Sequence, residues 1–293
     1  MAKRRGKQGP AIDEPDWTLL RAELDGLLAG LDWLGHRQTD PINLVWGYDA
    51  AEDREVVALI VATMAYGRVS LLKKAARQAL AALGPHPAAT LRELPEAARV
   101  MPEGFVYRMT RGDDLNALFQ AIGRALREHG SLAALFMAHD DPAADDYQAA
   151  LTGLVHQLRA WGERDARGFR YLLADPAGGG ACKRLNLFLR WVIRGPDQVD
   201  LGLWGELSAA RLVMPLDTHI VRICTYLGLT SRKTADWKMA RQIAAGLRRL
   251  DPDDPLKYDF AICHLGISGA CPRKPVAEIC ARCPIERICR LEG

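Results

Sequence analysis

Apolar residues recur at helical spacing along most of the chain. Between Trp17 and Leu34 the leucines stand three or four positions apart, which predicts an amphipathic helix. From Asp53 to Gly67 nearly every residue is apolar, and the run is too long for an ordinary strand, so it predicts a buried helix. Further helical patterns cover residues 70–83, 90–94, 114–129, 143–160, 168–174, 182–194, 217–227, 236–250 and 255–266.

Strand patterns are missing from the same sequence. β-branched residues do not alternate with polar ones, and no turn dipeptide separates two such runs. The sequence therefore predicts an all-α fold. With 293 residues, of which 49% are hydrophobic, the chain has enough apolar material for one large domain or two packed ones.

Charge and hydropathy narrow the class of protein only a little. The formal net charge of +3 does not by itself indicate a polyanionic partner. No apolar stretch approaches the length that spans a bilayer, and the basic start from Lys3 to Lys7 is not followed by an apolar region. We therefore expect a cytoplasmic protein with no membrane partner, whose basic start is either a solvated tail or a phosphate contact.

Four of the seven cysteines lie close together near the end of the sequence. They form the pattern C-x8-C-x2-C-x5-C with Cys271, Cys280, Cys283 and Cys289. Thiolates at this spacing can converge on one centre, and in a reducing compartment they predict metal ligands and not a disulfide framework. The spacing alone is compatible with zinc and with a [4Fe–4S] cluster. The remaining cysteines are expected to be buried thiols: Cys182, Cys224 and Cys263.

Two short segments carry side chains suited to catalysis. Asp217 precedes a helical pattern that continues to Leu227, so its carboxylate is placed to cap that helix. Upstream, glycines at 178–180 separate two helical patterns, and Lys183 follows at the start of the second. Such a turn exposes the first N–H groups of the second helix, which bind anions such as phosphates, although the same glycines are also typical of a flexible loop.

The order of these three motifs resembles the helix-hairpin-helix DNA glycosylase superfamily (HhH-GPD) of the endonuclease III and MutY type, as an outlying branch. A glycine hairpin with a lysine inside its second helix, an Asp-Thr-His helix start and clustered cysteines follow one another over roughly the last 130 residues. The resemblance implies a monomer with two domains. Residues 51–205 would form a six-helix barrel domain, and residues 1–50 with 206–293 an iron–sulfur helical domain.

The resemblance also implies a role for each motif. Lys183 stands where bifunctional members carry their nucleophilic lysine, and Asp217 where nearly all members carry an essential aspartate. The cysteines would hold a [4Fe–4S] cluster in preference to zinc. The implied DNA contacts are Tyr66, Arg68, Gly178, Gly179, Gly180, Ala181, Arg184, Arg273 and Lys274. Tyr66 would fill the gap left by an extruded base, unless it is a residue at the edge of the core.

Three features depart from the family pattern. Ala181 takes the place of the second glycine of the hairpin. Residues 194–211 read as an insertion between the lysine and the aspartate, and the first cysteine gap has eight residues where six are usual. The first two departures bear on the geometry that would bring Lys183 and Asp217 together.

The predicted function is that of a nucleoid-associated DNA repair enzyme that excises a damaged or mispaired base from duplex DNA. If the amine of Lys183 attacks the sugar, the enzyme is also an AP lyase, and if water attacks instead it is a monofunctional glycosylase. One alternative is a non-catalytic nucleic-acid-binding protein of the same fold. Another is a cluster-bearing redox or regulatory protein.

Overall fold

Helices make up nearly all of the regular structure in this computed structural model, which describes residues 14–291. The α-helices are α1 (Trp17–Ala29), α2 (Trp33–Thr39), α3 (Ala51–Thr63), α4 (Val69–Ala81), α5 (Pro87–Arg92), α6 (Gly112–His129), α7 (Leu132–Met137), α8 (Gln148–Gly162), α9 (Arg167–Leu172), α10 (Lys183–Ile193), α11 (Thr218–Tyr226), α12 (Trp237–Arg248), α13 (Asp259–Ile267) and α14 (Ala277–Cys280). Short 3-10 helices occupy Pro41–Gly47, Pro176–Gly178, Ala209–Arg211 and Glu286–Ile288. The expected helical class is confirmed, and the basic start from Lys3 to Lys7 lies outside the described residues.

Helix α3 lies at the centre of the packing. Every residue from Val56 to Met64 is buried, as the unbroken apolar run predicted. A helix that is apolar all round needs partners on every side, and α3 packs against α4, α5, α10 and the 3-10 helix Pro41–Gly47. Glu55, a buried acidic residue of α3, accepts hydrogen bonds from the N–H groups of Leu132 and Ala133 at the start of α7.

The helix predicted between Trp17 and Leu34 is two helices in the structure. Helix α1 ends at Ala29 with Gly30 as its C-cap, and Asp32 begins α2 by accepting a hydrogen bond from the N–H of Gly35 at 3.0 Å. The apolar spacing did not reveal the break because Leu31, which lies inside it, still packs against the core.

A small β-hairpin corrects the prediction of a chain without strands. Strands β1 (Val106–Tyr107) and β2 (Thr110–Arg111) pair antiparallel, with Tyr107 opposite Thr110. Two residues per strand are too few to produce a recognisable alternation. Helix α7 was also not predicted, and its six residues make fewer than two turns.

Residues 194–211, the predicted insertion, fold back onto the end of α10. The backbone N–H of Trp204 donates to the carbonyl of Val192 at 2.7 Å, and the buried Trp204 indole donates to Glu55 Oε1 at 2.7 Å. The segment thus becomes part of the core.

A buried ionic network fastens the same segment to α10 and α13. Arg190 forms ion pairs with Asp200 and Asp259, and Arg194 Nη1 lies 2.8 Å from Asp200 Oδ2. Burial opposes the charge of Arg190, but the two carboxylates outweigh it and hold the pKa of the guanidinium above its usual range. Such pairs tolerate burial only while every partner is present.

The buried apolar side chains form one continuous core that extends from Leu20 to Ile285. The two ends of the described chain meet on its surface, where α1 packs against Glu286–Ile288 and Arg287 Nη1 lies 2.7 Å from Glu23 Oε1. Among residues 14–291 we find no helix of the length and apolarity that crossing a membrane requires.

Candidate functional site

Asp217 begins helix α11 as its N-cap, as predicted. Its Oδ1 atom accepts hydrogen bonds from the N–H groups of His219 and Ile220, each at 2.8 Å. These bonds satisfy two N–H groups that have no partner within the helix. Both capping bonds end at Oδ1, so Oδ2 remains available for other contacts.

Lys183 is the first residue of α10, and the structure brings it to Asp217. Lys183 Nζ lies 3.7 Å from Asp217 Oδ2. About a third of the lysine side chain is exposed, against 16% for the aspartate. The pair predicted from two distant motifs is therefore formed, with an accessible amine beside a mostly buried carboxylate.

The pair lies in a cleft of about 460 Å³. Volumes of this order accommodate small molecules and single nucleotides. The ionisable groups that line the cleft belong to four parts of the chain and comprise Asp40, Lys183, Arg190, Asp217, His219, Asp259 and Cys263. Val69 and Ile267 also line it, and both keep about half of their surface exposed.

The glycine hairpin next to Lys183 is open to solvent on the side of its glycines. A Cβ added at Gly178, Gly179 or Gly180 would meet nothing within 4 Å. Gly179 has a positive φ of 73°, which a glycine adopts without strain. The hairpin is tied to α12, because the N–H of Trp237 donates to the carbonyl of Gly179 at 2.9 Å.

The departure at Ala181 is accommodated without strain at that residue. The left-handed position falls one residue later, at Cys182, which has φ of 41°. The carbonyl of Ala181 accepts a hydrogen bond from the buried amide of Asn186 at 3.0 Å. Burial raises the pKa of the Cys182 thiol to about 11, so this thiol stays protonated at neutral pH.

Arg184 and Tyr66, both predicted to contact DNA, lie together inside the protein. The Arg184 guanidinium donates to the carbonyls of Thr63 and Tyr171, and it stacks over the rings of Tyr66 and Tyr171. The Tyr66 hydroxyl is 2.7 Å from the hydroxyl of Thr110. These contacts give Arg184 a structural role and favour the interpretation of Tyr66 as a residue at the edge of the core.

The three other charged residues that were predicted to contact DNA are exposed. Arg68 is the solvent-exposed N-cap residue of α4, two residues after Tyr66. Arg273 and Lys274 are exposed in the loop after Cys271, and the carbonyl of Arg273 accepts a hydrogen bond from the Tyr226 hydroxyl at 3.2 Å.

The four predicted ligand cysteines line one cavity of about 440 Å³, at the opposite end of α11 from Asp217. Tyr226, the last residue of α11, also lines this cavity. Arg222 on the same helix donates to the carbonyl of Cys271 at 2.7 Å. Across residues 14–291, no group of three or more His, Cys, Asp or Glu side chains stands in an arrangement that would hold a metal ion as the side chains lie here.

Two of the cleft residues that were not identified from the sequence are Cys263 and Asp40. Cys263 was predicted to be a buried thiol, yet it lines the cleft and donates its S–H to Asp217 Oδ2 at 3.4 Å. Asp40, which precedes Pro41, also lines the cleft, and no role was predicted for it. Burial raises the pKa of Asp40, despite a hydrogen bond from the N–H of Ile42 and the nearby charge of Arg190. Neither residue belongs to a recognisable motif, because packing of separate elements brings them to the cleft.

Comparison with known proteins gives a family but no described function. A model for a family described as a protein of unknown function, DUF2400, matches residues 40–268, which include the cleft and the hairpin. The match ends before the cysteine motif begins at Cys271. No curated protein and no solved structure matches the chain.

Proposed function

We propose that this chain, which belongs to the DUF2400 family, is a DNA repair glycosylase that excises a damaged or mispaired base from duplex DNA. The proposal includes AP-lyase activity, with Lys183 as the nucleophile. It also includes the two-domain helix-hairpin-helix architecture, a monomeric state and a location with the nucleoid in the cytoplasm.

The observation that carries the proposal is the approach of Lys183 to Asp217 at the wall of the cleft. The two residues are 34 positions apart, and their functional atoms are separated by 3.7 Å. A nucleophile beside a base whose own orientation is fixed by a third group is the usual arrangement for covalent catalysis. Here the N–H groups of His219 and Ile220 fix the orientation of Asp217.

Each group has a defined part in the proposed reaction. A nucleotide extruded from the duplex would enter the cleft, since its sugar is out of reach while the base is stacked. The neutral amine of Lys183 attacks C1′, and the electron pair of the breaking C1′–N bond leaves with the base. Asp217 Oδ2 stabilises the positive charge that develops on the sugar and accepts the proton released by the attacking amine. Opening of the sugar ring then gives a Schiff base, and elimination from it cleaves the strand.

The open hairpin is a second observation that supports the proposal. The N–H groups of Leu185 and Asn186 donate to the carbonyl of Cys182. The N–H groups that precede them in α10 lie at the positive end of the helix, and they have no backbone acceptor among the described residues. A DNA phosphate would bind there without regard to sequence, as an enzyme that searches for damage requires. The same contact would place the sugar–phosphate backbone of the DNA next to Lys183.

The four cysteines fit a [4Fe–4S] cluster by their chemistry and by the space they share. Four thiolates would also hold a single zinc ion, and the resemblance to the endonuclease III type favours the cluster. A cluster supplies structural cross-linking here: Cys271, Cys280, Cys283 and Cys289 would hold it and so fix the loop that carries Arg273 and Lys274 for contact with a phosphate.

Borohydride trapping on a panel of lesion-bearing duplexes tests the proposal. We expect a covalent protein–DNA adduct with the parent protein and none with Lys183→Gln, because the glutamine amide is not a nucleophile. Asp217→Asn should slow base release by about 10²-fold or more while largely retaining DNA affinity. Excision retained by Lys183→Gln without an adduct in the parent would instead indicate attack by water.

Two matched variants control for incidental effects. Lys238→Gln removes an exposed lysine beside the hairpin and should leave trapping unchanged. Asp16→Asn alters the N-cap of α1, whose Oδ1 accepts from two backbone N–H groups as that of Asp217 does, and measures what a change of cap does to helicity and melting. A folded Asp217→Asn protein as active as its parent, or a parent that releases no base from any lesion, would leave only the non-catalytic binding protein.

A further inference from the structure

The two oxygens of Asp217 have different tasks. Oδ1 is held by two backbone N–H groups at 2.8 Å, so rotation of the carboxylate is already restricted. Oδ2 has two neighbours in the cleft: the thiol of Cys263 at 3.4 Å and Lys183 Nζ at 3.7 Å. The chemistry proposed for Asp217 depends on Oδ2, and Cys263 is the side chain that donates to this atom.

Cys263 lies on α13, which packs against α11, and its thiol faces the cleft. Burial, followed by the charges of Asp217 and Asp259, raises the pKa of the thiol well above its usual value, although Lys183 acts in the opposite direction. The thiol therefore keeps its proton at neutral pH. It is a hydrogen-bond donor to Asp217 and not a second nucleophile.

We infer that Cys263 is a positioning residue, which holds Asp217 Oδ2 toward Lys183 through a weak S–H···O hydrogen bond. This inference rests on the proposed function. A thiol suits the position because it is a weak donor. It orients the oxygen but leaves most of the carboxylate charge available to the amine and to the developing sugar cation.

The other small side chains would act differently at this position. A serine hydroxyl would form a short, charge-assisted bond to the carboxylate and would stabilise the charged form before the reaction begins. Alanine would provide no donor, so Oδ2 would be oriented only by the two backbone bonds to Oδ1. If Cys263 only filled space, serine and alanine would have similar effects there, since both side chains are smaller than that of cysteine. The comparison of serine with alanine therefore separates positioning from packing.

The test uses a duplex with one abasic site, on which the trapping reaction needs no knowledge of the natural lesion. Trapping rates are measured against pH for the parent, Cys263→Ser and Cys263→Ala. We expect a several-fold lower rate near neutral pH in both variants. The acid limb of the profile, where the trapping rate falls as the pH is lowered, should move to lower pH in Cys263→Ser and to higher pH in Cys263→Ala. Each shift should be up to about one pH unit. Cys224→Ser is the matched control, because Cys224 is a fully buried thiol on α11 that makes no hydrogen bond to Asp217.

Infrared spectroscopy provides a readout that does not depend on activity. The S–H stretching band of Cys263 is identified as the band lost in Cys263→Ala, and it should move to higher frequency in Asp217→Asn because the acceptor becomes neutral and weaker. A band that does not move, or acid limbs that shift in the same direction in both variants, would overturn the inference. If the abasic duplex gives adducts in all variants with unshifted pH profiles, the role of Cys263 alone is overturned. If the parent gives no adduct, both the role of Cys263 and that of Lys183 as the nucleophile are overturned, and base release from the lesion panel then decides whether the protein is a glycosylase.

Discussion

The helical body (residues 14–267) and the cysteine segment (residues 270–291) are held in place by different means. In the body, helices such as α3 are buried over most of their length. In the cysteine segment only Cys271 and Ile285 are buried, and the residues from Arg273 to Ile279 are all exposed. So little buried apolar surface stabilises a segment only weakly, and such segments usually depend on a cross-link. Burial therefore suffices for the cleft, whereas we expect the cysteine cavity to depend on a bound group.

The largest expected effect on the body comes from its ionic network. Arg190→Met should lower the free energy of unfolding by about 3–5 kcal/mol, because Asp259 is left buried without its partner. Urea denaturation at neutral pH measures the change. Arg170→Met is the control, since the Arg170–Asp165 pair is largely exposed and should contribute less than about 1 kcal/mol. Equal effects of the two substitutions would mean that the network does not hold the body together.

A smaller effect on the body should appear in acid. Burial, with the nearby charges of His36 and Arg190, lowers the pKa of His264 from 6.5 to about 4. The unfolded chain therefore binds a proton that the folded chain does not, and stability present above pH 6.5 is lost as the pH falls toward 4. The loss should be about 3 kcal/mol at most, from 1.36 kcal/mol per pKa unit.

Removal of the imidazole isolates this contribution. His264→Phe keeps an aromatic ring between His36 and Phe260 and should flatten the dependence of unfolding free energy on pH between 4 and 6.5. Asp40, whose Oδ2 lies 4.0 Å from His264 Nε2, remains in place in this variant. His139→Gln, at an exposed histidine, should leave the dependence unchanged. A His264→Phe profile parallel to that of the parent would contradict the expectation.

The smallest effect on the body should follow removal of a ligand cysteine. Cys280→Ser should lose the iron and the visible absorbance of a cluster, and amide hydrogen exchange should become fast across residues 271–289. The unfolding free energy of the body should change by less than about 1 kcal/mol, because Cys280 contributes little to the core. Cys224→Ser should keep its iron. Anaerobically purified parent protein with one zinc and no iron would rule out the cluster.

The same contrast explains what could be predicted from the sequence. Helices with a long apolar face or a defined cap were found, and Asp217 was recognised as an N-cap because the signal lies in adjacent residues. The approach of Lys183 to Asp217 was implied only by the order of motifs, and between the two residues the segment 194–211 folds back onto α10. No local pattern predicts such a return.

Side-chain direction was the least predictable property. Arg184 follows Lys183 directly, and its charge suggested a DNA contact, but two backbone carbonyls and two tyrosine rings draw it inward. Cys263 and Asp40 reach the cleft from elements far apart in sequence. Their positions depend on long-range packing, which periodicity and spacing do not encode.

The meeting of α1 with the cysteine segment has a consequence for how the chain is made. Glu23 and Arg287 are 264 residues apart in sequence, so their contact cannot form until nearly all of the described chain has left the ribosome. At about 5–20 residues per second, this delay is on the order of tens of seconds. During that time the leucine face of α1 lacks the contact that it later makes with the cysteine segment. Synthesis thus passes through a stage in which a chaperone or a neighbouring nascent chain can occupy that face.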